Sequence, residues 1–181
     1  KARYMTVGQN ITANEAAELV VQLNNRSNGQ VIKRIERIYD TIFFDEVQDL
    51  SGYDLEIIRR IAASSINLVC VGDPKQATFK TNSGQKNKNI SGAKMELFFK
   101  SREKSHSAQL TYNNISRRFN VDICRFANDV YPSSNEMSTF MTSITPHDGV
   151  FLILKSDIPD YYNIYSPQVL RYDKKTDTLG L

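Results

Sequence analysis

Two short apolar runs in this chain each end on carboxylates, and an amphipathic stretch lies between them. The first, residues 42–50, reads IFFDEVQDL; the second, residues 66–73, reads INLVCVGD. Between them Leu55, Ile57, Ile58, Ile61 and Ala62 recur at helical spacing, with Ser51 placed to cap the helix. Strand, helix and strand in that order form the βαβ pattern, which favours a parallel sheet covered by helices, with both strands buried. Ligands of such sheets bind beyond the carboxyl ends of the strands. Asp45, Glu46 and Asp73 fall at those ends. A carboxylate taken out of water is costly unless a cation or hydrogen-bond donor meets it. These acids therefore face solvent or hold something.

The rest of the chain is read around that core. Thr12 or Asn14 can cap a helix through about Leu23, and residues 31–38 again have helical spacing. Residues 79–90 form a polar, Gly-containing loop, followed by a short helix over 93–99 and a strand over 109–112. Phe119, Ile123, Phe126, Ala127 and Val130 mark one face of a helix that stops near Pro132, and the stretch after it shows no clear period. GVFLIL, residues 149–154, reads as a fresh strand before a Tyr-rich helix. The turn at 146–149 is the candidate start of a second unit.

Length and composition narrow the function. A chain of 181 residues suits one domain or one and a fraction. No apolar stretch approaches the roughly 20 residues that cross a bilayer. The first ten residues do not read as a signal peptide, and they lack an initiator Met, which suggests a fragment or a processed product. Cys70 and Cys124 lie among apolar residues and read as reduced core thiols of a cytoplasmic protein. The net charge of +3 is mild, but seven basic residues against two acids fall between Lys80 and Lys104. Such a patch suits phosphates; it also suits a solvated loop.

An Asp at a strand end can hold Mg²⁺, which prefers hard oxygen ligands and keeps several waters. A neighbouring Glu can orient a water for attack on a γ-phosphate. A Gln after the adjacent strand offers both donor and acceptor to that water or phosphate.

DEVQDL with GDPKQATF resembles motifs II and III of the UvrD/Rep-type superfamily 1 DNA helicases. SRRFNVDICRFAN, residues 116–128, is similar to their motif IV, and the SGA at 91–93 is similar to the RGA that usually follows motif III. The resemblance covers roughly residues 42–128 and is weaker from Gly149 onward. It implies the C-terminal part of an α/β, RecA-like P-loop NTPase motor domain over residues 1–145, lacking its phosphate loop, and the opening of a second motor domain over 146–181. It implies ATP and Mg²⁺, with single-stranded or partially duplex DNA as partner and subunits of a repair or defence complex as further partners. Carried over, Asp45 coordinates the metal, Glu46 is the catalytic base and Asp73 supports that site. Gln76 senses the γ-phosphate, Arg118 contacts it, and Phe79 stacks on single-stranded DNA. Arg117 stands where many relatives have a Tyr against adenine. Lys80, Lys86 and Lys88 lie in a longer loop than the family pattern has, and are candidate DNA contacts.

No Gly in the chain precedes a Lys, so the GxxxxGK[ST] phosphate loop is not within it. That loop is expected upstream of residue 1, and motifs V and VI beyond Leu181. Two readings from different classes stay open: an ATP-dependent DNA helicase, and a nucleic-acid-binding or regulatory module with a degenerate motor. An RNA motor of the same superfamily is a third. Other features have simpler explanations. Asp49 suits a helix cap or ion pair, His106 and His147 exposed positions without metal spacing, and Tyr161, Tyr162 and Tyr165 packing.

Overall fold

The computed structural model describes residues 4, 10–77, 81, 86–87, 89–90, 94–133 and 135–170. The chain forms two compact units, residues 1–111 and 112–181.

In the first unit, α1 (Ala13–Arg26) and α2 (Gln30–Glu36) precede strand β1 (Thr41–Phe44). Helix α3 (Asp54–Ala62) then leads to β2 (Asn67–Cys70), and α4 (Met95–Lys104) follows. Strands β1 and β2 pair in parallel, with Ile42 beside Leu68 and Phe44 beside Cys70. The βαβ unit expected from the sequence is therefore present. Helix α3 forms because Leu55, Ile58 and Ile61 share one face and are all buried. Its acids, Asp54 and Glu56, sit in the first turn and Arg59 and Arg60 in the last, which suits the helix dipole.

Side chains alternate across a strand. Ile42, Phe44 and Leu68 point to the helices and pack against two buried clusters, Leu55–Ile58–Met95–Phe98 and Ile32–Ile61–Ile66. Phe43 points the other way and is 72 % exposed, and Val71 is 57 % exposed. The strands are thus buried on one face among the described residues, where burial on both was expected.

In the second unit, β3 (Ile115–Asn120), α5 (Val121–Val130) and β4 (Ser138–Met141) form another parallel βαβ arrangement, and α6 (Ile158–Tyr165) follows. Two expected strands do not form: residues 109–112 and 149–154 are irregular. The strands form instead at ISRRFN and STFM, which pair with each other. Asn120 caps α5 by accepting from Ile123 N–H at 3.0 Å. His147 is half-buried, not exposed as expected. Its ring stacks on Phe151 and on Tyr165, with centroids 4.6 and 4.0 Å away, and Nε2 meets the Tyr161 hydroxyl at 2.6 Å. Of the three Tyr residues expected to pack, Tyr161 and Tyr165 do so around this imidazole, whereas Tyr162 is exposed.

Candidate functional site

The strand ends of the first unit bring four polar side chains into one connected group. The β1–β2 pairing continues past both strands: Val71 N–H donates to Phe44 O at 2.8 Å and Val47 N–H to Val71 O at 3.1 Å. This holds Asp45 and Glu46 beside the stretch that leads to Asp73. Both Asp45 and Glu46 are exposed.

Asp45 Oδ1 accepts from Glu46 N–H at 2.9 Å. Glu46 takes the left-handed conformation, φ 50° and ψ 42°, immediately before a 3₁₀ turn, Val47–Asp49. A non-glycine residue there stores strain of about 1 kcal/mol. The tight turn buries Val47 and Gln48 while leaving the Glu46 carboxylate outside.

Gln48 is 2 % exposed. Its Nε2 donates to Glu46 Oε2 at 2.6 Å and its Oε1 accepts from Asp73 N–H at 3.0 Å. Gly72 makes room for this side chain: a Cβ there would lie 2.5 Å from Gln48 Oε1 and 2.8 Å from Val47 Cγ2. Asp73 caps the next 3₁₀ turn, Pro74–Gln76, by accepting from Lys75 N–H at 2.8 Å. Its other oxygen, Oδ2, accepts from Gln76 Nε2 at 2.7 Å. Glu46, Gln48, Asp73 and Gln76 are thus linked in series by hydrogen bonds.

The other expected residues fall as follows. Lys86 places its ammonium 5.2 Å from the centroid of the Tyr53 ring. Beside it, Asn87 donates to Gly52 O at 2.8 Å and to Glu56 Oε1 at 3.1 Å, and Arg59 donates to both Asn87 Oδ1 and Glu56 Oε1. Burial pushes the Glu56 carboxyl up, but the hydrogen bonds from Asn87 and Arg59 and the charges of Arg59 and Lys86 outweigh it, leaving the group below its usual value. Thr81 ties to the same region, donating its N–H to Asp49 O at 2.8 Å and its hydroxyl to Asp54 Oδ2 at 2.6 Å. The described part of the basic loop is therefore fastened to the start of α3. Phe79, Lys80 and Lys88 lie outside the described residues.

Arg117 and Arg118 lie on β3 in the second unit, both exposed. Arg118 lines a cavity of about 390 Å³ with Asn120, Ile123, Met141 and His147. A second cavity of about 590 Å³ lies against His147, Tyr161 and Tyr165. The strand-end acids line neither of these cavities.

An exposed carboxylate at a strand end fits Mg²⁺, which commonly takes one or two carboxylates and completes its shell with phosphates and water. Among the described residues no three His, Cys, Asp or Glu side chains come together as a metal cage. Sequence reasoning singled out Asp45, Glu46, Asp73 and Gln76 but missed Gln48 and Gly72. The available signal was a Gln flanked by acids and a Gly directly before the second acid.

Among the described residues no helix is long and apolar enough to cross a membrane. No curated protein matches the chain. The profile of the UvrD/REP helicase N-terminal domain matches residues 2–97, more than half of the sequence. That match spans β1, β2 and the whole Glu46–Gln76 network, and the chain belongs to the UvrD/REP helicase family.

Proposed function

We propose that this chain supplies part of the motor of an ATP-dependent DNA helicase or translocase, in which hydrolysis of Mg-ATP drives movement along single-stranded DNA. The observation that carries the reading is the linked Glu46–Gln48–Asp73–Gln76 group at the ends of two parallel strands. Family membership supports a helicase-related role with nucleotide, metal and DNA.

On this reading Asp45 holds the metal, which when bound neutralises charge on the phosphates. The Glu46 carboxylate orients a water molecule and takes its proton as the oxygen bonds to the γ-phosphorus and the bond to the bridging oxygen breaks. The exposure of Glu46 suits a group that must meet solvent and substrate. Gln76 stands next to this centre through Asp73. Arg118 supplies positive charge to the γ-phosphate, and Arg117 offers a flat cation to a base. Phe79, Lys80, Lys86 and Lys88 serve the nucleic-acid side, Lys86 by leaving the Tyr53 ring. Residues 146–181 open the second motor domain on this reading, so that boundary does not coincide with the division between compact units at 111/112.

The test is ATP hydrolysis by the full-length protein, with and without single-stranded DNA. DNA-stimulated turnover is expected, with Glu46→Gln lowering kcat by about 10²–10⁴-fold. Undiminished hydrolysis by Glu46→Gln would refute the role of Glu46. No Gly-Lys pair occurs in these 181 residues, which favours a binding module for the chain on its own. Salt-sensitive DNA binding by a full-length protein that hydrolyses no ATP would establish that second reading.

A further inference from the structure

We propose that Gln48 is a positioning residue that fixes the Glu46 carboxylate and ties it to the loop carrying Gln76. This rests on the ATPase reading above and deepens it. Glu46 is exposed, and its backbone is strained, so the turn alone does not aim its carboxylate. Among the described residues the donor to that carboxylate is Gln48 Nε2, at 2.6 Å.

Gln48 is well suited to hold it. Its amide is buried, and Gly72 packs against its oxygen. The orientation of the amide is determined by its neighbours. Oε1 faces the Asp73 N–H, a donor, so Nε2 is left to face the carboxylate, an acceptor. Flipping the amide would oppose donor to donor and acceptor to acceptor.

The second link runs through Asp73. Its N–H holds Gln48, and its carboxylate holds the Gln76 amide. A shift of the 73–76 loop therefore pulls on the Gln48 oxygen, and the rigid amide passes that shift to Glu46. The state of the Gln76 loop is in this way carried to the water-orienting carboxylate across the two strand ends.

The experiment compares kcat and KM for Mg-ATP in the full-length protein, with and without saturating single-stranded DNA. The variants are Glu46→Gln, Gln48→Met and Gln48→Glu, each with its thermal midpoint measured. Met fills nearly the same space without polar atoms. Glu keeps an acceptor for the Asp73 N–H but sets a second carboxylate against Glu46. Both Gln48 variants are expected to lower kcat about 10–100-fold, as misplacement of a catalytic group does, with KM changed less than about two-fold. Stimulation by DNA should fall with kcat.

Normal kcat in both Gln48 variants, with only a lowered midpoint, would mean that Gln48 is purely structural and would overturn the inference. So would wild-type kcat in Gln48→Glu, which alone decides the question if Gln48→Met does not fold. In each of these cases a wild type that hydrolyses ATP and a Glu46→Gln that does not leave the ATPase reading standing. A wild type without hydrolysis, or a fully active Glu46→Gln, overturns both.

Discussion

Replacing Gly72 with Ala puts a methyl group into the tightest contact of the candidate site. The new Cβ would lie 2.5 Å from Gln48 Oε1, 2.8 Å from Val47 Cγ2 and 3.1 Å from Val47 N. Ordinary contact begins near 3.4 Å, so the Gln48 oxygen must retreat by about 0.9 Å. Both Val47 and Gln48 are buried and cannot swing into solvent. Overpacking of this kind costs about 1–3 kcal/mol, and displacing a buried amide from its partners costs about 1–3 kcal/mol more. The alanine recovers roughly 0.4–1 kcal/mol by restricting the unfolded chain. The net is a loss of about 1–6 kcal/mol, read as a lowered thermal midpoint. Calorimetry on the full-length protein measures it. Gly29→Ala is the control: Gly29 has φ 86° but nothing within 4 Å of a Cβ. It should cost only the left-handed strain, about 1 kcal/mol. A Gly72→Ala protein within about 0.5 kcal/mol of wild type would refute the packing of Gln48 against Gly72.

The remaining predictions concern stability. Glu56 is held below its usual value of 4.5, so its interactions stabilise the fold above that pH and are lost as pH falls through the lower, folded value. Glu56→Gln should flatten the acid side of the stability–pH curve, measured by urea unfolding from about pH 5 downward; an unchanged curve would dismiss the Asn87–Glu56–Arg59 group as a contributor. Asn120→Ala removes the cap of α5 and the bond from Nδ2 to Ser143 Oγ at 3.2 Å. It should cost about 1–2 kcal/mol, read as a lowered thermal midpoint, whereas Asn120→Asp should keep most of the cap.

The βαβ core was legible because apolar runs and helical spacing alternate between residues 41 and 70, and the parallel pairing of Phe44 with Cys70 follows. Which face of β1 is buried was not legible. Ile42, Phe43 and Phe44 are all apolar, and only the helices packed beside Ile42 and Phe44 distinguish them. Strand β3 is hidden in the sequence because ISRRFN is polar, and its stability comes from pairing with β4. GVFLIL has the opposite problem: it has strand composition but pairs with no strand among the described residues, and strand composition alone leaves backbone donors unpaired. At the site, the chemistry of Asp45, Glu46, Asp73 and Gln76 could be read from residue type and position. Gln48 left only a weak signal, its place among acids, because its role depends on burial and on the direction of one amide.

On the proposed reading, the left-handed backbone at Glu46 sets a carboxylate at the strand end at a strain cost of about 1 kcal/mol. Glycine and asparagine accept φ 50° more readily than glutamate does. Glu46→Gly and Glu46→Asn should therefore relax the turn while removing the carboxylate. Each replacement also takes away the acceptor of the buried Gln48 amide, at a cost of about 1–3 kcal/mol that offsets the strain relieved.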